Sequence, residues 1–407
     1  MNSSDQYICA FRGRRDNYQV PLALQEAKRL RLFITDAYAP AWIEKYSVIG
    51  SQRLTEKMLS RREASLDDQN VRCLWGTTVL ERFRHLAGYP RVETYALLDR
   101  NYSLAAAAQA RKTRANLFLY SPYAWEAFSA SYGHTPNKIL FQYHPHWAVE
   151  ASVLEKDARE FSDLHPSIGA GGAESIASIK SDARARSDDS WKLADHVACA
   201  SQFTRATLLE AGAKNERISV VPYGVTLPRE SDEVERDQVF HVLFVGSGIQ
   251  RKGLHHLLLA WERARLPAGS VLTLVCRILE PAFVSLIACA RNVRLMREVT
   301  YAQLAHLYSS ATLFAMPSLI EGFGQVYLEA LSYGLPVLGT RNTCVPDLGG
   351  EIDGVYCNNA GDLDALIDTL ERLSKILPGK RDVNRRARLC AAQFSWARFR
   401  AGIRSLL

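Results

Sequence analysis

The chain has 407 residues, more than one ordinary domain holds, and its 47% hydrophobic and 23% charged content is that of a globular protein expected to fold as two domains. No run approaches the roughly 18 uninterrupted apolar residues of a membrane span, and the eight cysteines form no CxxC pair, which speaks against a disulfide framework and a zinc site and suits a reducing cytoplasm. Net charge is +7, yet no zinc finger, RNA-recognition motif or long basic stripe accompanies it, so nucleic acid is not an expected partner.

From the N-terminus, "MNSSDQYICAFRGRRDN" lacks the positive start and apolar run of a secretory signal, so a cytoplasmic protein is expected. Residues 1–150 carry +6 of the charge, with clusters at Arg12, Arg14 and Arg15 and at Arg53, Lys57, Arg61 and Arg62. Such clusters read either as the solvated face of ordinary helices or as a weak docking surface for an anionic membrane, peripheral at its inner face. Short apolar runs at 7–11, 30–35, 116–120, 139–143, 196–200 and 218–222 predict the strands of a first domain. A polar, charge-rich stretch at 223–238 reads as a linker, and a second series follows at 239–246, 271–276, 293–296, 312–317, 336–340 and 354–357. Runs this short and apolar, separated by helix-length segments, predict parallel sheets covered by helices on both faces. The Gly-, Ala- and Ser-rich segment 166–189 reads as a mobile loop or loose helix, and 384–407 as a basic amphipathic helix anchored by Phe394, Trp396 and Phe399.

Two loops carry candidate chemistry. "LFVGSGIQRKGLHHLL" places Gly246, Ser247 and Gly248 after a strand, with Arg251 and Lys252 where a helix begins. It is neither a Walker A loop nor GxGxxG; it reads as a plain Gly-rich turn or as a cradle in which backbone amides and two cations meet a diphosphate. "LIEGFGQVYLEA" places Glu321 before a helix and Glu329 about five residues into it, roughly 7–8 Å along at 1.5 Å per residue. With Gly322, Phe323 and Gly324 at the turn, a sugar could accept the free amides there while a ribose reaches Glu329; each carboxylate can accept two hydroxyl donors. A third candidate is "ILFQYHPHW", which places His144 and His146 just past the C-terminal end of a strand, facing the presumed cleft. Gly13, Tyr18, Ser121 and Tyr123 are further candidates on the acceptor side, although loop packing explains them as readily.

"FVGSGIQRKGLHHLLLAW" together with "MPSLIEGFGQVYLEALSYGLPVLGT" resembles the retaining GT-B glycosyltransferases of family four, the glycosyl transferases group 1. The likeness extends over about 115–400, including "LADHVACASQFTRATLLEAGA", and is poor over 1–110. It implies an α/β fold of two Rossmann-like domains facing across a cleft: 1–225 on the acceptor side, 226–383 binding the nucleotide sugar, and a C-terminal helix at 384–407 crossing back to the first domain. It further implies that Glu321 contacts the donor sugar, Glu329 the ribose, Arg251 and Lys252 the diphosphate, and that His144 touches the donor sugar. The family's arginine after the first loop glycine is Ser247 here, with Arg251 beside Lys252 instead, its asparagine before the strand-end glycine is Tyr223, and its acidic residue after Val-Pro is Asp347.

The implied reaction is transfer of a sugar from a UDP- or GDP-linked donor to a carbohydrate or lipid-linked glycan acceptor with retention, in polysaccharide or glycolipid synthesis. No metal or other cofactor is expected, since no DxD motif accompanies the donor loops. A catalytically silent binding module of the same fold, or a sugar-phosphate synthase or phosphorylase, are the alternative readings.

Overall fold

The computed structural model describes residues 5–39, 60–162, 175–229, 236 and 238–407. Arg53, Lys57 and residues 166–174 therefore lie outside the described residues. The first sheet contains β1 (Tyr7–Ala10), β2 (Leu30–Thr35), β3 (Val71–Cys73), β4 (Asn116–Tyr120), β5 (Lys138–Gln142), β6 (His196–Cys199) and β7 (Ile218–Val220). The second contains β8 (His241–Val245), β9 (Val271–Val275), β10 (Val293–Met296), β11 (Leu313–Ala315), β12 (Val337–Thr340) and β13 (Val355–Asn358). Every ladder is parallel. The apolar runs are the reason: strands such as β1 and β12 are buried along their whole length, as a sheet covered on both faces demands. β3, only three residues and partly exposed, has no counterpart among the predicted strands.

Strand order is β3-β2-β1-β4-β5-β6-β7 in the first sheet and β10-β9-β8-β11-β12-β13 in the second. Each order reverses once, between β1 and β4 and between β8 and β11. Ligands bind outside the carboxyl ends of strands at such reversals. The Gly246–Lys252 loop leaves β8 and the Glu321 loop leaves β11, so both chemical loops share the switch point of the second sheet.

The helix Trp147–Glu160 of the first domain reaches across to the second. Its Ala151 and Leu154 pack with Leu319 and Ile320, the residues just before Glu321, in a small apolar cluster of their own.

One prediction is corrected. Residues 384–407 are not one helix: Arg381–Ala392 packs on Gln325–Ser332 of the second domain, and Trp396–Arg404 packs on Gln19–Glu26 of the first. The break falls at Ser395, whose extended backbone and side chain, accepting from Arg398 N, start the second helix. Arg400 then reaches Glu26 Oε1 at 2.7 Å and Gln19 Oε1 at 2.6 Å. At the break, Val225 N donates to Phe394 O at 2.8 Å and Val225 pairs in parallel with Ser395, so the outgoing and returning chains run side by side. Gly224 has no room for a side chain there, because a Cβ would overlap the Trp396 backbone. Of the two readings of the Ser-rich segment, the described part follows the helical one, with short helices Ile176–Ile179 and Asp182–Asp188, each started by a serine cap.

Candidate functional site

The glycine loop after β8 owes its composition first to packing. Gly246 N donates to Val275 O at 3.0 Å and Gly248 N to Ile278 O at 2.7 Å, and a Cβ on Gly248 would overlap Leu279. Those two amides are thus engaged by the neighbouring strand and its extension, not directed at an anion, which corrects the amide part of the expectation. Half-exposed Ser247 follows the same path, and its carbonyl accepts from Ile249 N at 3.0 Å. Beyond it Gly253 adopts φ +66°, and a Cβ there would overlap the Pro317 carbonyl. Leu319 N donates to Arg251 O at 2.9 Å. The cationic turn and the β11 loop are therefore locked together, backbone to backbone.

This lock brings Arg251, Lys252 and Glu321 into one group. Glu321 Oε1 accepts from Arg251 Nη1 at 2.6 Å and from Lys252 Nζ. Glu321 and Arg251 are both buried. Burial pushes the Glu321 carboxyl up, but Arg251 and Lys252 outweigh it and hold the group below the usual carboxylate range. On its other side Arg251 Nε lies 3.8 Å from Glu150 Oε1, and Glu150 in turn accepts from Arg184 Nη2 at 2.8 Å. Arg184 Nε donates to Asp188 Oδ2 at 2.8 Å. Glu150, Arg184 and Asp188 all belong to the first domain, so a chain of charges crosses the interface and ends at Glu321.

His144 faces this group. A Cβ on Gly322 would overlap the Tyr143 carbonyl and stand 3.3 Å from His144 Cα. Gln142 Nε2 donates to His144 O at 3.0 Å, while His144 Nδ1 is buried with no partner among the described residues. Burial, followed by Arg184, Arg251, Arg15 and Lys252, depresses the His144 pKa well below its ordinary value, so the ring is neutral. His146 instead serves structure, accepting from Ala148 N at the helix start and meeting Asp189 Oδ1 at 3.1 Å.

The turn between the glutamates keeps free donors. Gly322 O is held by Ser201 Oγ at 2.6 Å and Thr204 Oγ1 at 3.0 Å, whereas the amides of Gly322, Phe323 and Gly324 donate to no group among the described residues. Gly324 takes φ +86° and opens the helix Gln325–Ser332. Phe323 is buried edge-on against Tyr223 at 5.3 Å. Asp347, on the next turn, accepts from Gln202 N at 2.8 Å, a further bond between the domains. Glu329 stands apart from the triad: its Oε2 accepts from Tyr308 Oη at 3.3 Å, and burial raises its pKa.

Sequence reasoning missed the most unusual backbone of the molecule. After β1, Asp16, Asn17 and Tyr18 are consecutive non-glycine residues with φ of 47°, 50° and 62°. Each such residue costs on the order of 1–3 kcal/mol, and such strain gathers at functional sites. Side chains hold the turn: the Asp16 carboxylate accepts from Tyr120 Oη and from Tyr223, the residue that replaces the family asparagine. The Arg15 guanidinium lies 4.2 Å from the Tyr143 ring centre, and Tyr143 lies 4.1 Å from the His144 ring. Tyr123 Oη accepts from Arg15 Nη2 at 3.5 Å, so Tyr123 belongs to this cleft; Ser121 Oγ is buried nearby without a partner among the described residues. Gly13 (φ +80°) donates its amide to Asp36 Oδ1 at 3.0 Å, and Tyr18 packs among Phe33 and Tyr38, so both shape the loop and not its surface.

Arg12 and Arg15 thus turn inward, Arg12 onto Tyr95 and Glu81, which leaves only Arg14 of that cluster exposed. Arg61 pairs with Asp36 at 2.8 Å and Arg62 with Asp68 at 2.9 Å. Of the described members of the two basic clusters, Arg12, Arg15, Arg61 and Arg62 are thus engaged by neighbouring groups. Four charges between residues 12 and 16, directly after a strand, were the available sign of the cleft.

Residues 239–375 match the family model described as Glycosyl transferases group 1. Over 200 residues the chain is 28% identical to an MMP alpha-(1->4)-mannosyltransferase of Mycolicibacterium hassiacum, covering 46% of this chain and 47% of that protein. Over 104 residues it is 33% identical to O-antigen chain mannosyltransferase B of Escherichia coli, covering 26% and 27%. The chain thus spans about half or less of the length of these curated relatives. Among solved structures, sucrose-phosphate synthase from Thermosynechococcus elongatus superposes with a TM-score of 0.62 at 17% identity over 98% of both chains. WaaG, a glycosyltransferase involved in lipopolysaccharide biosynthesis, does so with 0.59 at 15% identity, again over 98% of each. Anabaena HepE, solved with UDP-glucose, gives 0.59 at 13% over the same share. Residues 239–375 thus match the glycosyl transferases group 1, and with two parallel sheets arranged as in these structures the chain has the GT-B fold.

Proposed function

We propose that the protein transfers a hexose from a UDP- or GDP-linked sugar to a carbohydrate or lipid-linked glycan acceptor, with retention at the anomeric carbon. The observation that carries this reading is the group of buried Glu321 and Arg251 with partly exposed Lys252 at the switch point, opposite His144. Arg251 and Lys252 meet the diphosphate and stabilise the charge that grows on it as the glycosidic bond breaks. Glu321 holds hydroxyls of the sugar, and the free amides of 322–324 offer donors beside it. Glu329 receives the ribose hydroxyls, and Gly246, Ser247 and Gly248 leave room for the nucleotide. The leaving diphosphate assists deprotonation of the acceptor on the same face of the sugar, so no metal is required. The mannosyltransferases among the relatives and the UDP-glucose complex of HepE support a hexosyl nucleotide donor.

The acceptor enters along the first domain, past the Arg15–Tyr18 turn and Tyr123. We assign the protein to the cytoplasm, in polysaccharide or glycolipid synthesis, with weak docking on an anionic membrane. That docking falls to the helix Trp75–Leu86, which exposes Trp75, Val79, Phe83 and Leu86 beside exposed Arg72 and Arg82. No helix among the described residues is long and apolar enough to cross a membrane.

The deciding experiment offers UDP-, GDP- and ADP-hexoses with and without glycan acceptors and follows nucleoside diphosphate release and product anomeric configuration. Acceptor-dependent release that is lost in Lys252→Ala supports the proposal. Nucleotide binding without release from any donor identifies a silent module, and an inverted product removes the retaining assignment.

A further inference from the structure

We propose that Asp157, His255 and His256 form a divalent-metal site that fastens the two domains together, separate from the donor chemistry. Asp157 lies near the end of helix Trp147–Glu160 of the first domain. His255 and His256 are consecutive on helix Leu254–Arg263, directly after the Arg251–Lys252 turn. His255 Nε2 lies 3.0 and 3.1 Å from the two Asp157 carboxylate oxygens, and His256 Nε2 lies 2.7 Å from Oδ1. All three residues are buried, and their ligand atoms lie within 4.8 Å of one another.

Charge favours an ion. Among the described residues no lysine or arginine pairs with Asp157; besides the imidazoles it accepts only from Gln250 Nε2, at 2.8 Å. A buried carboxylate needs compensating positive charge, and a divalent ion supplies it. Imidazole nitrogen and carboxylate oxygen are the ligand types of zinc and its neighbours. Metal–ligand bonds of about 2.0–2.1 Å in a tetrahedron set ligand atoms roughly 3.3 Å apart, so the present contacts widen by only a few tenths of an ångström. The Phe161 ring stands edge-on to both imidazoles, at 5.2 and 4.8 Å, and limits their rotation. A small cleft lined by His256, Thr340, Asn358 and Asp362 lies beside the site.

The Nδ1 atoms of both histidines are buried without partners among the described residues. A second hydrogen bond to a ligating imidazole is worth about 10–100-fold in metal affinity. This site therefore binds an exchangeable ion, suited to setting the interdomain angle at which His144 faces Glu321.

The test uses the full chain without an affinity tag, stripped with chelator and titrated with Co2+. Expected are one equivalent bound, visible d–d absorption from nitrogen and oxygen ligands, and a rise in Tm that EDTA reverses. His256→Gln, which keeps an amide directed at Asp157, and Asp157→Asn each weaken Co2+ binding at least about ten-fold with unchanged far-UV circular dichroism. Absence of bound cobalt in the wild type overturns the proposal, as does binding that both folded variants retain. Should a variant fail to fold, the stoichiometry, spectrum and EDTA-reversible Tm of the wild type decide alone.

Discussion

Gly322 of the second domain lies directly against Tyr143 of the first, with no space between them for a methyl group. Its φ is not in the left-handed region, so alanine is excluded by the neighbour and not by backbone strain. Gly322→Ala should wedge the cleft open and strain the bonds by which Ser201 and Thr204 of the first domain hold the Gly322 carbonyl. The expected result is a larger radius of gyration in solution scattering and a fall in kcat/KM of at least about ten-fold, some 1.4 kcal/mol. An unchanged scattering curve with wild-type activity would show that the domains do not work in this closed arrangement.

On the proposed placement of the donor, charge and ribose contacts should separate kinetically. Lys252→Ala removes a cation facing a leaving group whose negative charge grows in the transition state, and should cost on the order of a hundred- to a thousand-fold in kcat. Lys252 suits this test better than Arg251, because Arg251 is buried and also meets Glu150. Glu329→Ala removes a contact similar in ground and transition states, so it should chiefly raise the donor KM. Calorimetry with the free nucleoside diphosphate checks the placement: affinity should fall for Glu329→Ala and remain nearly normal for Glu321→Ala. Wild-type affinity in Glu329→Ala would move the nucleotide off this helix.

Asp99 gives a pH signature. Burial pushes its carboxyl up to about 7, against the opposing pull of Arg12 and Arg15, and its Oδ1 has no hydrogen-bond partner among the described residues. The folded state therefore holds a proton that the unfolded chain has lost, and this group's contribution to stability falls as pH rises from about 4 to about 7. Asp99→Asn should remove that slope, leaving Tm near wild type at pH 5 and above it at pH 8. Parallel Tm-against-pH curves for the two proteins would show that Asp99 does not titrate in this window.

The sheets and the two loops that meet at the switch point were legible in the sequence because their signals are local. Strands buried on both faces leave unbroken apolar runs, and Arg251, Lys252, Glu321 and Glu329 sit within two short stretches. The first-domain half of the site was not legible, because no short window contains it. Arg184 belongs to a segment whose composition suggests a loose loop, and it acquires meaning only when folding sets it between Glu150 and Asp188. Likewise "LHHLL" reads as part of an apolar helix face until Asp157, 98 residues away, comes to rest on it. The C-terminal break escaped notice because helical periodicity resumes immediately after Ser395.

The membrane surface is testable at one residue. Phe83 is 63% exposed on the helix Trp75–Leu86, and Phe83→Glu should abolish sedimentation with anionic liposomes while leaving turnover of soluble substrates intact. Wild-type sedimentation should weaken as salt rises, because attraction beyond about 8–10 Å is screened at physiological ionic strength. Equal sedimentation of wild type and variant would remove this face from the proposal.

The paired crossing at Val225 and Ser395 restricts how the halves can move. Two hydrogen-bonded strands bend readily about the line that runs through both, as a door turns on two pins. Swinging sideways would stretch one strand against the other, which trans peptide geometry resists. Opening is thereby confined to nearly one degree of freedom, and every reclosure returns Gly322 to Tyr143 and Arg251 to Glu150 in the same register. A cut in the polar stretch after Pro228 would sever one pin and leave the other, turning a guided swing into a loose tether.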